Sequence, residues 1–359
     1  MGYVESDAAA RRARPGRPPS RNRFGWPGDQ DPLHTRSDDT VIVAILGGSV
    51  AGGFAGPGVP ELERRLQELP RFAGRRFVFV PLALAGYKQP QQLMALSWLL
   101  SLGGEFDLVI NLDGFNEVAL HPVENARTGT FAGFPRQWHY QLAELPQRPL
   151  DELAYQRVQR TRLAEQHSLP LMRHSVLGNF VWRLRDSQAA AEVHQAQAAL
   201  AELGAAQSSF AQTGPQHAYA DEAEMMRHLA LIWREASLQL HRLSRANGSE
   251  YYHFLQPNQY VPGSKPLSPR ELRVAFDPEH PYRRGVEAGY PLLVEAGAEL
   301  AGQGVAFFDL SRLFENVEES VYSDDCCHFK RLGYQLIAEA MAEAISGRVE
   351  EQSEGSGGG

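Results

Sequence analysis

Cysteine is almost absent from this 359-residue chain, and its two thiols are neighbours, Cys326 and Cys327. Adjacent cysteines close a strained ring if they bond, so no disulfide framework is implied and no redox compartment is defined. No apolar run approaches the roughly 18 residues needed to span a bilayer. The first residues lack the apolar core of a signal peptide. An excess of positive charge is missing as well. The formal net charge is −8, which argues against a general nucleic-acid binder, because phosphate contacts require a basic surface. There is no internal repeat, no G-x-G-x-x-G, no P-loop lysine and no H-E-x-x-H. What remains is a composition of 43% hydrophobic and 22% charged residues. That is a globular composition, long enough to bury a sizeable core in one large or two ordinary domains.

The stretch Val41 to Gly53, VIVAILGGSVAGG, organises the rest. A short unbroken apolar run ended by turn residues predicts a strand buried on both faces. Its glycines turn the backbone at the carboxyl edge of that strand, where open α/β sheets bind ligands, and leave Ser49 there. Further strands are predicted at 76–82, 106–112, 250–255 and 305–310. Helices are predicted at 60–69, 91–102, 286–302 and 331–346, the second stopped by Gly103 and Gly104. Strands and helices alternating in units of about thirty residues predict an α/β fold with a doubly wound, five-stranded parallel sheet.

The flanks and the middle read differently. Residues 1–38 are rich in arginine, proline and glycine and predict an extended arm, with Phe24 and Trp26 pinning it to the body. Residues 120–248 break the α/β rhythm with helical patterns at 186–203 and 221–246, read as a helical insertion or cap over the sheet edge. The body, 39–349, is expected to be a single domain carrying that insertion. The low-complexity tail 350–359 is expected to be flexible.

The polar residues that stand out follow predicted strands. Ser49 follows the first, Gly86 the second, and Asn116 the third. Asp325 and His328 lie in SDDCCHFK, after the fifth. In a parallel sheet these loops converge on one edge. A serine hydroxyl needs a base to become a nucleophile, and histidine serves near neutral pH. The histidine needs a carboxylate to orient it, and the oxyanion needs preorganised donors such as a glycine N–H and an asparagine amide. Each element alone has an ordinary explanation. A serine suits a glycine turn, Asn116 suits a helix cap, and Asp324 and Asp325 suit solvated caps. The GGSVAGG turn without its lysine, and a second strand without a ribose-binding acid, weigh against a phosphate or dinucleotide site. The cluster Asp324 to His328 holds metal-ligand types, but its spacing fits no zinc pattern, and no metal or cofactor is expected.

The ordered set GGS at 47–49, Gly86 in LAGY, Asn116 in DGFNE and the DCCH of Asp325 and His328 resembles the SGNH/GDSL hydrolases. The resemblance covers about 40–115 and 250–346. It implies a flavodoxin-like three-layer α/β/α fold and hydrolysis of ester bonds through an acyl-enzyme. Position by position, it implies Ser49 as nucleophile, His328 as base and Asp325 as its orienter. Ser49, Gly86 and Asn116 would then form the oxyanion hole. Three departures stand out: Gly48 where many members have aspartate, FNE where aspartate more often follows the asparagine, and Ala85 before Gly86. The expected partner is a small-molecule or carbohydrate ester. The same residues would serve an O-acyltransferase, and a catalytically silent glycan- or protein-binding module is the alternative from another class. The opening MGYVE and its Arg/Pro-rich arm resemble the segment just past the membrane anchor of exported bacterial relatives. An extracytoplasmic location, with an anchor trimmed upstream of Met1, is therefore expected.

Overall fold

The computed structural model describes residues 21–28, 30–142, 147–167, 175–205 and 209–356. Most of the N-terminal arm and the last three residues of the tail lie outside the described residues. The chain forms two compact units, one of Met1–Val123 with Ala218–Gly359 and the other of Glu124–His217.

The first unit is built on five strands: β1 (Thr40–Gly47), β2 (Arg76–Ala83), β3 (Leu108–Asp113), β4 (Glu250–Leu255) and β5 (Ala306–Asp309). They pair in the order β2-β1-β3-β4-β5, every pair parallel. Parallel strands covered on both faces need continuous apolar runs. Accordingly β1 and β3 are buried at every position, while the edge strand β5 is short and half-buried in its middle. The order reverses at β1, because β2 lies on one side of it and β3 on the other. Connections from β1 and β3 therefore leave toward opposite faces and open a crevice at their carboxyl ends.

Helices close both faces. After β1 come α1 (Ser49–Phe54) and α2 (Gly58–Gln67), then α3 (Gln91–Ser101) and, directly after β3, α4 (Phe115–Leu120). The second unit holds α5 (Trp138–Leu142), α6 (Gln147–His167), α7 (Val176–Ala205) and α8 (Phe210–Thr213). The first unit resumes with α9 (Glu222–Ala246), α10 (Glu271–Val274), α11 (Arg283–Gly302) and α12 (Arg331–Ser356). α12 packs against α2 on one face, while α9 packs against α3, α4 and α11 on the other. This is the expected three-layer α/β/α arrangement. Among the described residues no helix is long and apolar enough to cross a membrane.

Three details depart from the sequence expectation. The pattern at 221–246 places that helix in the insertion, yet α9 packs on β4 in the first unit. Its apolar stripe, with Met226, Leu229, Trp233 and Leu240 buried, covers the sheet. Helical spacing identifies such a stripe but not the surface that it meets. The compact second unit consequently ends at His217. α6 is a polar helix whose weak apolar periodicity gives no helical signal in the sequence. It packs along α7, where Arg160 pairs with Asp186 at 2.8 Å and His167 stacks on Trp182 at 4.4 Å. The closing helix continues to Ser356, into the segment expected to be a flexible tail. The described part of the arm is pinned as expected. Phe24 and Trp26 meet Trp98 of α3 with ring centroids 5.4 and 5.8 Å apart, and Trp26 is buried.

Candidate active site

Ser49 is half-buried and is the first residue of α1, immediately beyond the end of β1. A helix's first N–H groups have no partner within the helix, so the backbone at this position is suited to receive an oxygen. Gly48 has no room for a side chain. A Cβ there would lie 2.1 Å from Asn116 Nδ2 and 3.2 Å from the Tyr87 carbonyl oxygen. The lack of a side chain at residue 48 is therefore what lets the Asn116 amide approach the serine turn.

The histidine arrives from the loop before α12, and that loop is held at several points. Tyr322 bridges to Phe329, and the Ser323 N–H donates to the His328 carbonyl at 2.9 Å. The buried Glu271 carboxylate accepts from the N–H groups of Val321 and Tyr322 at 2.8 and 3.1 Å. Inside the loop, Asp324 Oδ1 accepts from the N–H groups of Cys326, Cys327 and His328 at 3.1, 3.1 and 3.2 Å. Its other oxygen, Oδ2, lies 2.5 Å from His328 Nδ1. A carboxylate only accepts, so the contact puts the proton on Nδ1 and leaves the Nε2 lone pair open. Nε2 lies 2.8 Å from Ser49 Oγ and accepts from that hydroxyl. Partial burial alone would raise the Asp324 pKa. The hydrogen bond and charge of His328, with the loop N–H groups, outweigh burial and hold the carboxyl down at about 2.

The carboxylate against the histidine is thus Asp324, not Asp325 as the resemblance implies. Asp325 is exposed. What it contributes is its backbone carbonyl, which accepts from the Tyr260 hydroxyl at 2.7 Å. The physical reason is the turn itself. An aspartate that accepts the N–H groups two, three and four residues ahead curls the chain so that the fourth side chain returns over its free oxygen. Consecutive aspartates in the sequence offer both spacings, and only the turn distinguishes them.

Residues shortly after β4, which the sequence reading leaves without a catalytic role, brace this loop. Asn258 Nδ2 donates to the Cys326 carbonyl at 3.2 Å, and Gln259 Nε2 donates to the Asp324 carbonyl at 3.1 Å. With Tyr260, three consecutive side chains hold three consecutive loop carbonyls. Three adjacent polar residues just past a buried strand are the available signal.

Gly86 is buried and occupies a positive φ of 79°. It lies in a turn closed by Tyr87 N–H donating to the Leu84 carbonyl at 3.0 Å, a conformation that favours glycine at this position. The next carbonyl, Tyr87, accepts from Asn116 Nδ2 at 2.6 Å. That bond orients the amide and leaves its second N–H for another acceptor. Beneath it, Glu117 accepts from the N–H groups of Gln89 and Gly114 at 3.0 and 2.9 Å, tying the loops after β2 and β3 together. Burial, with the nearby Asp113 carboxylate, raises Glu117 to about 8. Ser49 and His328 are in direct contact, while Asn116 lies against Gly48, the residue before the serine, and reaches the Gly86 turn through the Tyr87 carbonyl.

A second serine–histidine–aspartate chain lies in the core. Ser237 Oγ is 2.7 Å from His253 Nδ1, and His253 Nε2 is 2.9 Å from Asp113 Oδ1. Ser237 and His253 are 0% exposed and Asp113 is 2% exposed. Trp233 Nε1 and Asn111 Nδ2 also donate to Asp113, each at 2.7 Å. No substrate reaches these atoms; the chain satisfies buried polar groups between β3, β4 and α9. The Cys326 and Cys327 sulfurs and a His328 nitrogen lie within 4.8 Å of one another. Both His328 ring nitrogens are already engaged, so a metal ion there would break a contact to Ser49 or Asp324.

No protein-family model matches the sequence, and no curated protein matches it. Among solved structures the chain is similar to a GDSL-like lipase from Bacteroides thetaiotaomicron. The two share 10% sequence identity with a TM-score of 0.38, over 87% of this chain and 89% of that one.

Proposed function

We propose that the protein is a serine-dependent ester hydrolase of the SGNH/GDSL type, acting through an acyl-enzyme on Ser49. The observation that carries this reading is His328, which contacts Ser49 Oγ through one ring nitrogen and the Asp324 carboxylate through the other. In the first half-reaction Ser49 Oγ attacks the ester carbonyl carbon while His328 Nε2 takes the hydroxyl proton. Asp324 stabilises the imidazolium that forms. The carbonyl oxygen becomes an oxyanion and is received by the N–H groups of Ser49 and Gly86 and by the Asn116 amide. Collapse expels the alcohol, which takes the proton from His328. Water then repeats the sequence on the acyl-enzyme, and the carboxylic acid leaves.

A fluorophosphonate probe tests the assignment, because it phosphonylates a serine only when a base activates it. Stoichiometric labelling at neutral pH, abolished in Ser49→Ala, is the expected result. Folded wild-type protein that remains unlabelled would remove the enzymatic reading and leave a binding module.

A further inference from the structure

The two cysteines lie inside the histidine loop, between Asp324 and His328, and the proposed mechanism does not use their thiols. Their sulfurs are 3.1 Å apart. Cys326 is partly exposed and Cys327 is buried. The backbone N–H groups of both donate to Asp324 Oδ1, the carboxylate that holds His328. The pair is therefore attached to the site through Asp324.

We propose that Cys326 and Cys327 form a redox-modification site, oxidised by small disulfides to a bond between neighbours that disarms the Asp324–His328 pair. The chemistry balances as two exchange steps. The Cys326 thiolate attacks a small disulfide, giving a mixed disulfide and releasing one small thiol. Cys327 then loses its proton and attacks the Cys326 sulfur, releasing the second thiol. Two protein thiols are oxidised while one small disulfide is reduced to two thiols.

Bond formation draws the sulfurs from 3.1 Å to about 2 Å. The ring that closes contains the Cys326–Cys327 peptide, whose N–H is one of those held by Asp324. Turning that peptide withdraws donors from the carboxylate, and the carboxylate in turn loses its hold on the imidazole. Reversal by excess thiol restores the turn. The partly exposed Cys326 is the point of attack, and the buried Cys327 resolves the mixed disulfide.

The consequence for activity rests on the proposed serine chemistry, so the test reads three quantities. Full-length protein is equilibrated with oxidised or reduced glutathione. Intact mass then reports loss of two hydrogens, fluorophosphonate labelling reports Ser49, and proton NMR with isotope-labelled histidine reports the His328 Nδ1–H held by Asp324. The expected oxidised form is lighter by two hydrogens, has lost that proton signal, and labels at least about tenfold more slowly. Excess reduced glutathione should reverse all three changes. Cys326→Ser should keep both the signal and its labelling rate in oxidant. Thiols that stay reduced, a stable glutathione adduct in place of the ring, or a ring that leaves the His328 signal unchanged would overturn the proposal. Reduced protein that never labels but whose His328 signal responds to oxidation would instead sink the esterase reading and leave the switch standing.

Discussion

The side-chain nitrogen of Asn116 occupies the space in which a side chain on Gly48 would begin, 2.1 Å from the position of its Cβ. This one relationship joins the loop after β1 to the loop after β3 across the reversal in strand order. It also gives a physical reason for a glycine beside the candidate nucleophile. Asn116 approaches the serine turn only because residue 48 has no side chain.

A substitution at that glycine gives the first prediction. Gly48→Ala should push the amide away and lower kcat for a short-chain aryl ester about as much as Asn116→Ala, by roughly a hundredfold or more. The double variant should be no worse than either single one, because both remove the same donor. Steady-state kinetics on the three proteins checks this, and additive losses would show that Gly48 acts in some other way.

The assignment of the acid is equally open to test. Asp324→Asn should lower kcat by about four orders of magnitude, because an amide facing Nδ1 favours the wrong histidine tautomer. Asp325→Asn should stay within a few-fold of wild type, since only its backbone carbonyl takes part. A larger loss in Asp325→Asn than in Asp324→Asn would return the assignment to Asp325.

Two carboxyls shift in opposite directions and predict opposite pH dependences of stability. Asp324 is held down at about 2. Its contribution is present above the ordinary carboxyl value of 3.8 and is lost as pH falls through about 2. Glu117 is raised from 4.5 to about 8. Its folded form binds the proton more tightly than the unfolded chain does, so stability is greatest below 4.5 and is lost as pH rises toward 8. Chemical denaturation of wild type and Glu117→Gln at pH 5 and pH 8 should therefore show the variant gaining relative to wild type at the higher pH. A pH-independent difference would mean that Glu117 titrates normally.

Ser237 offers an internal control for the serine chemistry. Ser237→Ala removes a buried partner of His253 and should cost about 1–3 kcal/mol in stability, while fluorophosphonate still labels Ser49 stoichiometrically. Label recovered on Ser237, or lost from Ser49 in a folded variant, would contradict the division into one buried chain and one reactive chain.

Bracing of the loop can be measured as well. Tyr260→Phe leaves the Asp325 carbonyl without that donor, together with the Asp277 N–H, which donates to the same hydroxyl at 3.2 Å. Stability should fall by about 1–2 kcal/mol, and kcat should fall several-fold while KM changes little, because the loop carries His328. An unchanged kcat would assign Tyr260 to the fold alone.

Much of the architecture is open to reading in the chain itself. Val41 to Leu46 and the other apolar runs, ended by glycine, asparagine and aspartate turns, are local signals. They identify five strands and place Ser49, Gly86 and Asn116 just after strands and His328 in the loop before the last helix, because periodicity and turn chemistry act over a few residues. Three matters are decided only in the tertiary structure. α9 packs on β4, because an apolar stripe does not specify its partner. Asp324 rather than Asp325 holds His328, because the two carboxylates differ by one residue in sequence but by a whole turn of hydrogen bonds in space. The contacts of Ser49 with His328, and of Gly48 with Asn116, join residues far apart along the chain. They exist because a parallel sheet collects the carboxyl ends of its strands at one edge, a long-range condition that no local pattern contains.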